Sequence, residues 1–210
     1  MAEIWPGFYD IIILPPEPIQ RQAIKLSAWL HENGSPWKLG AEEFLPHLSL
    51  YHLPVRPEKF REFTGALDDV VCGFRGGDLR LTGVSVRRIH RAVFLTTDKP
   101  KWLSDLHLLV IKALRHFFDE ARREEIRTRW GKMTPGMRNG FRSYGTPMTQ
   151  VNFVPHLTLG TFRWEDEEEK FEEGLRGLKA KPEKFHVDRV HVGRVGTGFS
   201  CQEVIHEARF

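Results

Sequence analysis

The chain has 210 residues, of which 40% are apolar, including 15 Phe and 6 Trp; that supports a sizeable core and excludes global disorder. Its 31 Lys and Arg stand against 28 Asp and Glu, a formal net charge of +3, which excludes a histone-like polycation and an acidic solvating chain and leaves function to local sites. No apolar run is long enough to span a bilayer, Glu3, Pro6 and Asp10 spoil a secretory signal, and Cys72 and Cys201 form neither a CxxC pair nor a disulfide framework, so a cytoplasmic protein with free thiols is expected.

Phe8 to Leu14 reads as a buried strand stopped by Pro15 and Pro16. Ile19 to His31 has helical apolar spacing and ends near Asn33-Gly34. His47 to Val55 reads as a strand whose alternation sets His47, Ser49 and Tyr51 on one face, with Leu48, Leu50 and His52 on the other. Pro57 opens a helix running to about Asp69. Leu79 to Arg87 and Ala92 to Thr96 are consecutive strands around Arg88 to Arg91. Pro100 to Phe118 repeats apolar residues at helical spacing through Trp102, Leu103, Leu106, Leu109, Val110, Ala113, Leu114 and Phe117.

The segment 119–150 reads as a helical continuation followed by a long loop rich in Gly, Pro, Arg and Asn, an insertion that covers or extends a cleft. Asn152 to Phe162 is a strand, and Glu165 to Leu178 an amphipathic helix with Phe171, Leu175 and Leu178 inward. Phe185 to Arg194 and Cys201 to Ala208 close the chain as strands. The order β-α-β-α-β-β-α-loop-β-α-β-β contains an internal echo, which predicts two related lobes.

The echo becomes near-identity at one place. Phe44-Leu45-Pro46-His47-Leu48-Ser49-Leu50 parallels Phe153-Val154-Pro155-His156-Leu157-Thr158-Leu159. In each copy the His and the hydroxyl residue lie two apart and share a strand face, while the leucines take the other. Two imidazoles and two hydroxyls suit phosphoester chemistry. A neutral imidazole takes a proton from the attacking hydroxyl or water, and a protonated one gives a proton to the leaving oxygen. In-line displacement needs those roles on opposite sides of phosphorus, which two separate strands supply. Ser49 and Thr158 would donate to the non-bridging oxygens, where charge lies in the transition state. This chemistry requires neither metal nor cofactor, and His52 and His107 lack metal-ligand spacing.

On those residues, His47-Leu48-Ser49-Leu50 and His156-Leu157-Thr158-Leu159, the chain resembles the 2H phosphoesterase superfamily, which includes 2′,5′ RNA ligase-like proteins and 2′,3′-cyclic nucleotide phosphodiesterases. The resemblance implies an α+β fold over 1–210, with two pseudo-symmetric lobes whose antiparallel sheets flank a central cleft and whose helices lie outside. It implies His47 and His156 as the acid/base pair and Ser49 and Thr158 as phosphate-binding residues. The implied activity opens 2′,3′-cyclic phosphates on nucleotides or RNA ends to 2′-phosphates, and some members join or cleave 2′-5′ linked RNA. The usual assignment makes the second-motif His the base and the first-motif His the acid. The reverse reaction exchanges these roles.

Three further residues are substrate-pocket candidates. Tyr51 shares the expected site face, and Arg142 and Tyr144 lie shortly before His156. The 121–142 segment carries seven basic and two acidic residues, a local +5, and Arg80, Arg87, Arg88 and Arg91 form a second cluster; either attracts phosphate or is a solvated face. Glu165 to Glu169 argues against a uniformly cationic channel. Gly73 to Gly77 lacks the Lys-Ser/Thr ending of a P-loop. The expected partner is a cyclic phosphodiester, as nucleotide or RNA end. The alternative is a non-catalytic RNA- or nucleotide-binding module on the same scaffold.

Overall fold

Apolar residues in Ile4–Ile13 build strand β1, whose Phe8, Ile11, Ile12 and Ile13 are all buried. It starts before the expected Phe8 because Gly7 adopts φ 64° and keeps the strand going through Pro6-Gly7 as a break in register with its neighbour. Pro15 and Pro16 end it, and Pro16 caps helix α1, Glu17–Glu32. These elements belong to a computed structural model that describes residues 4–40, 44–87, 92–149, 152–161 and 180–210. The expected helix Glu165 to Leu178, the acidic run Glu165 to Glu169, and Arg88 and Arg91 lie outside the described residues.

After β2 (Leu48–Pro54) come α2 (Phe60–Val71), β3 (Gly77–Arg87), β4 (Ala92–Thr97) and α3 (Lys101–Leu114), each within a few residues of its expected span. Helices α1, α2 and α3 bury their apolar faces in one core with Ile11, Ile13, Leu48, Tyr51 and Leu53. Leu109, expected in the inward stripe of α3, is instead exposed. The last strands are β5 (His156–Thr161), β6 (Lys184–Val187), β7 (Arg189–Gly196) and β8 (Cys201–Arg209).

Segment 119–150 is a correction to the long-loop expectation. It holds two short helices, α4 (Arg123–Trp130) and α5 (Pro135–Tyr144). Thr134 caps α5 by accepting from the Met137 amide, Pro135 starts it, and Gly145 ends it at φ 73°. A second, smaller core of Trp5, Phe8, Ile126, Phe141 and Val195 fastens both helices to β1 and β7. Another correction concerns Phe185 to Arg194, read as one strand. It divides at Asp188, because the buried alternation shifts phase there, from Phe185 and Val187 to Val190 and Val192.

The fold is α+β; the described residues form eight strands in the order β6-β3-β4-β5-β2-β1-β7-β8, all neighbours antiparallel. The two expected lobes are its halves, β6-β3-β4-β5 and β2-β1-β7-β8, joined edge to edge rather than lying apart. Each half presents its histidine strand, β5 or β2, at the seam. There the two strands pair only at Leu48 and Leu157. The same order of elements, strand then helix then seam strand, produces both halves, as β1-α1-β2 and as β4-α3 leading to β5.

Two glycines test these packing assignments. A Cβ on Gly145 would strike the Phe118 ring at a backbone angle that disfavours L side chains, whereas Gly65 in α2 has open space around it. Gly145→Ala should lower unfolding free energy by more than about 1 kcal/mol, and Gly65→Ala should raise it by roughly 0.5–1 kcal/mol. Urea titration of both variants measures this, and equal effects would contradict the αL cap.

Candidate active site

Both motif histidines are oriented by the chain just before them. His47 Nδ1 lies 2.7 Å from the Leu45 carbonyl, and His156 Nδ1 lies 2.6 Å from the Val154 carbonyl. A carbonyl only accepts, so each Nδ1 carries the hydrogen and each neutral Nε2 keeps a free lone pair. The antiparallel register about Leu48 and Leu157 then sets His47 opposite Thr158 and Ser49 opposite His156. The four polar side chains form a quartet on the face away from the leucines. All four line one cavity of about 540 Å³, a size that accommodates a nucleotide-sized ligand.

The repeat extends past the motif into the backbone. In β2 the register with β1 jumps from Ser49–Ile12 to Tyr51–Ile11, which bulges Leu50. In β5 the register with β4 jumps from Thr158–Phe94 to Gly160–Val93, which bulges Leu159. A bulge shifts the side-chain alternation by one. His52, not Tyr51, therefore shares the face of Ser49, and Thr161 takes the matching place in the other half. This corrects the expected facing of Tyr51 and His52.

The two halves differ in what faces those shifted positions. His52 pairs across the ladder with Asp10, whereas Thr161 pairs with Ala92. Asp10 is fully buried. Its Oδ2 accepts from the Ser49 hydroxyl at 2.6 Å and lies 3.1 Å from His52 Nε2 and 3.6 Å from His47 Nε2. His156 instead stacks on Phe94 with ring centroids 3.8 Å apart. Burial pulls the His156 imidazole down to about 4; the Val154 carbonyl opposes it, as the Leu45 carbonyl does at His47, while positive charge on His47 and Arg87 pushes the same way as burial. Burial also lowers His47, but there the Asp10 carboxylate and the Leu45 carbonyl oppose it. Among the described residues, no group of three or more His, Cys, Asp or Glu is arranged to hold a metal ion.

Tyr51 touches the cavity but is only 1% exposed, and its hydroxyl donates to the Tyr144 carbonyl at 2.6 Å. Burial raises its phenol well above the usual range, so it is fixed as a buried hydrogen-bond donor. Tyr144 contributes that carbonyl, its ring lying 5.9 Å from the Arg115 guanidinium, and Arg142 is exposed on α5; neither lines the cavity. Sequence reasoning missed Asp10, His52, Trp130 and Phe199, and it singled out Arg87 and Arg129 only as members of charge clusters. Arg87 and Arg129 line the cavity, as do Trp130 and Phe199, which stack at 4.3 Å. Phe199 is held at φ 61°, an uncommon angle for a non-glycine residue, in the turn between β7 and β8. Four of the seven cations of 121–142 are paired within α4 and its approach, Arg122 and Arg129 with Glu125, Arg123 with Glu120, and Arg127 with Glu124, and counting Glu120 lowers the local surplus only from +5 to +4. Cys72 and Cys201 are free thiols, and no helix among the described residues is long and apolar enough to cross a membrane.

The family model of the 2′-5′ RNA ligase superfamily matches residues 15–198. TT0787 of Thermus thermophilus is similar in structure at 14% identity and a TM-score of 0.60, covering 96% of this chain and 97% of that one. Apo LigT of E. coli is similar at 16% identity and a TM-score of 0.58, covering 100% and 98%. The LigT complex with 3′-AMP aligns at 16% identity and a TM-score of 0.54, covering 100% and 99%. No curated protein matches the chain.

One consequence of the buried imidazoles is measurable without substrate. His107 donates to the bulged Leu50 carbonyl at 2.9 Å, stacks on Phe153, and is lowered by burial to about 4, like His156. In the unfolded chain both titrate near their ordinary 6.5. Between about pH 6.5 and 4 the unfolded state binds protons that the folded state refuses, so stability falls as pH falls through that window. Urea midpoints across it should drop, and His107→Gln should make the drop shallower. An unchanged slope would show that His107 is already charged in the folded protein.

Proposed function

The chain belongs to the 2′-5′ RNA ligase superfamily, the two-histidine phosphoesterases, and from that premise we propose that it is a metal-independent phosphodiesterase opening 2′,3′-cyclic phosphates on nucleotides or RNA ends. The observation that carries this reading is the convergence of both His-x-Ser/Thr strands on one cavity, each His fixed through Nδ1 with Nε2 available. In the hydrolytic direction one neutral Nε2 takes a proton from water as its oxygen bonds to phosphorus. The P–O3′ bond breaks on the far side, and the other imidazole supplies the proton that O3′ needs. A 2′-phosphate remains, and proton exchange with solvent restores the pair. No step calls for a metal ion.

The rest of the cavity suits such a substrate. Thr158, which lines the cavity, would donate to a non-bridging oxygen, and the Arg87 guanidinium adds positive charge on the His156 side. The flat surfaces of Trp130 and Phe199, and of Trp37 and Phe44 in an edge-to-face pair, favour a stacked base. LigT has been solved with 3′-AMP, a nucleoside monophosphate of the size proposed and a regioisomer of the proposed 2′-phosphate product. The reverse reaction, formation of a 2′-5′ linkage, would use the same groups with acid and base exchanged.

Protein treated with EDTA should hydrolyse nucleoside 2′,3′-cyclic phosphates or RNA bearing that end, with the product phosphate at the 2′ position. His47→Ala and His156→Ala should each lower the rate by at least about 10². Turnover of neither substrate class by folded protein would overturn the reading. Salt-sensitive RNA binding that survives loss of both histidines would favour the binding-module alternative instead.

A further inference from the structure

The two-fold repeat makes the two histidines equivalent in backbone, yet acid/base catalysis needs them unequal. The difference lies at two positions that the motif does not contain. Asp10 and His52 stand beside His47, where the other half has Ala92 and Thr161 beside His156. We infer that Asp10, held in place by His52, is a positioning residue that biases His47 toward the donor role the usual assignment gives the first-motif His, and leaves His156 the proton acceptor. The inference rests on the hydrolytic reading above and assigns work to residues outside the quartet.

The argument begins with a burial cost. A carboxylate removed from water must be compensated by hydrogen bonds and opposite charge. Asp10 Oδ1 has no partner, so compensation falls on Oδ2, which meets Ser49, His52 and, farther off, His47. A proton on His47 would place opposite charge 3.6 Å from Oδ2, the compensation that the buried carboxylate calls for. His52 is itself placed by its neighbours. Phe8 stacks over it, and the edges of Trp130 and Phe199 close around it. Ser49 spends its hydroxyl proton on Asp10 in this arrangement, so the two motif hydroxyls are inequivalent as well.

Other charged and titratable groups facing the site do not reproduce this bias, and positive charge on His52 lowers both His47 and His156. On β8 the Cys201 thiol is itself pushed up to about 12, mainly by burial and secondarily by Asp10. On β7 the residue opposite Asp10 is Gly193, whose lack of a side chain leaves room for the Cys201 sulfur. On β3 Arg87 acts against protonation of His156. On α4 Arg129 lies over the Trp5 ring at 4.0 Å, and its guanidinium pairs with Glu125. The cavity therefore has its carboxylate on the His47 side, and the cation that disfavours a protonated His156 on the other.

Proton NMR titration of the free protein tests this without substrate, the His47 and His156 resonances being assigned by their loss in His47→Gln and His156→Gln. In the unaltered protein His47 should titrate at higher pH than His156. In Asp10→Asn the His47 midpoint should move down by about one pH unit or more, with His156 little changed. Coincident midpoints, or His156 the higher, would overturn the inference with no Asp10 variant required. In turnover the donor must be protonated, so Asp10→Asn should move the alkaline limb of kcat/KM to lower pH and leave the acid limb in place. A purely structural role would lower the rate uniformly across pH and would also overturn it. His52→Gln, which keeps a donor toward Asp10, should retain most of the rate, and His52→Leu should lose about tenfold. Because the titration needs no turnover, failure to hydrolyse cyclic phosphates would count against the proposed function alone.

Discussion

The architecture depends on a single backbone pairing. Leu48 and Leu157 are the partners through which β2 meets β5, and from this pair both the joining of the halves and the quartet follow. Because antiparallel residues directly opposite share a face, fixing the leucines inward fixes His47, Ser49, His156 and Thr158 outward. The same two leucines are fully buried or nearly so in the core that carries α1, α2 and α3. Hydrophobic packing on one side of the seam thus holds the geometry of the quartet on the other.

Symmetry operates at the level of backbone and is broken at the level of charge. Nδ1 anchoring, cross-strand placement and the bulge after each hydroxyl residue are common to both halves. Each bulge brings one more side chain onto the cleft face, and there the halves diverge, His52 against Thr161. The strand behind diverges at the same level, Asp10 against Ala92. A duplicated framework can supply two histidines with correct aim, but only unequal surroundings give them different proton affinities.

Much of this is legible in the chain itself. The paired Pro-His-Leu-Ser/Thr-Leu strings, the helical stripe of α3 and the turn residues around each strand are enough for the α+β class and the family. What escapes has physical reasons. A bulge has no reliable signature in alternating residues, so simple alternation puts His52 on the wrong face and Tyr51 on the face of Ser49. Asp10 stands in view as a lone carboxylate in a run of Tyr and Ile, but its partners lie about forty residues away in β2 and only the register unites them. Helix α5 is announced by Thr134-Pro135 and by Gly145, signals masked by the surrounding glycine and arginine. The charge surplus of 121–142 is overstated because Glu120, which pairs with Arg123, falls just outside the window.

The crossing at Asp188 has a further consequence. One residue separates β6, which completes the half containing His156, from β7, which inserts between β1 and β8 in the half containing His47. Strand β1 therefore waits for a partner nearly the whole chain away, and loop-closure entropy opposes that contact until late. During synthesis the half containing His156, whose strands are consecutive in the chain, can be complete before β7 and β8 emerge, whereas the half containing His47 must wait for the end of the chain. The lobes are repeats in form but not in connectivity, one being inserted within the other.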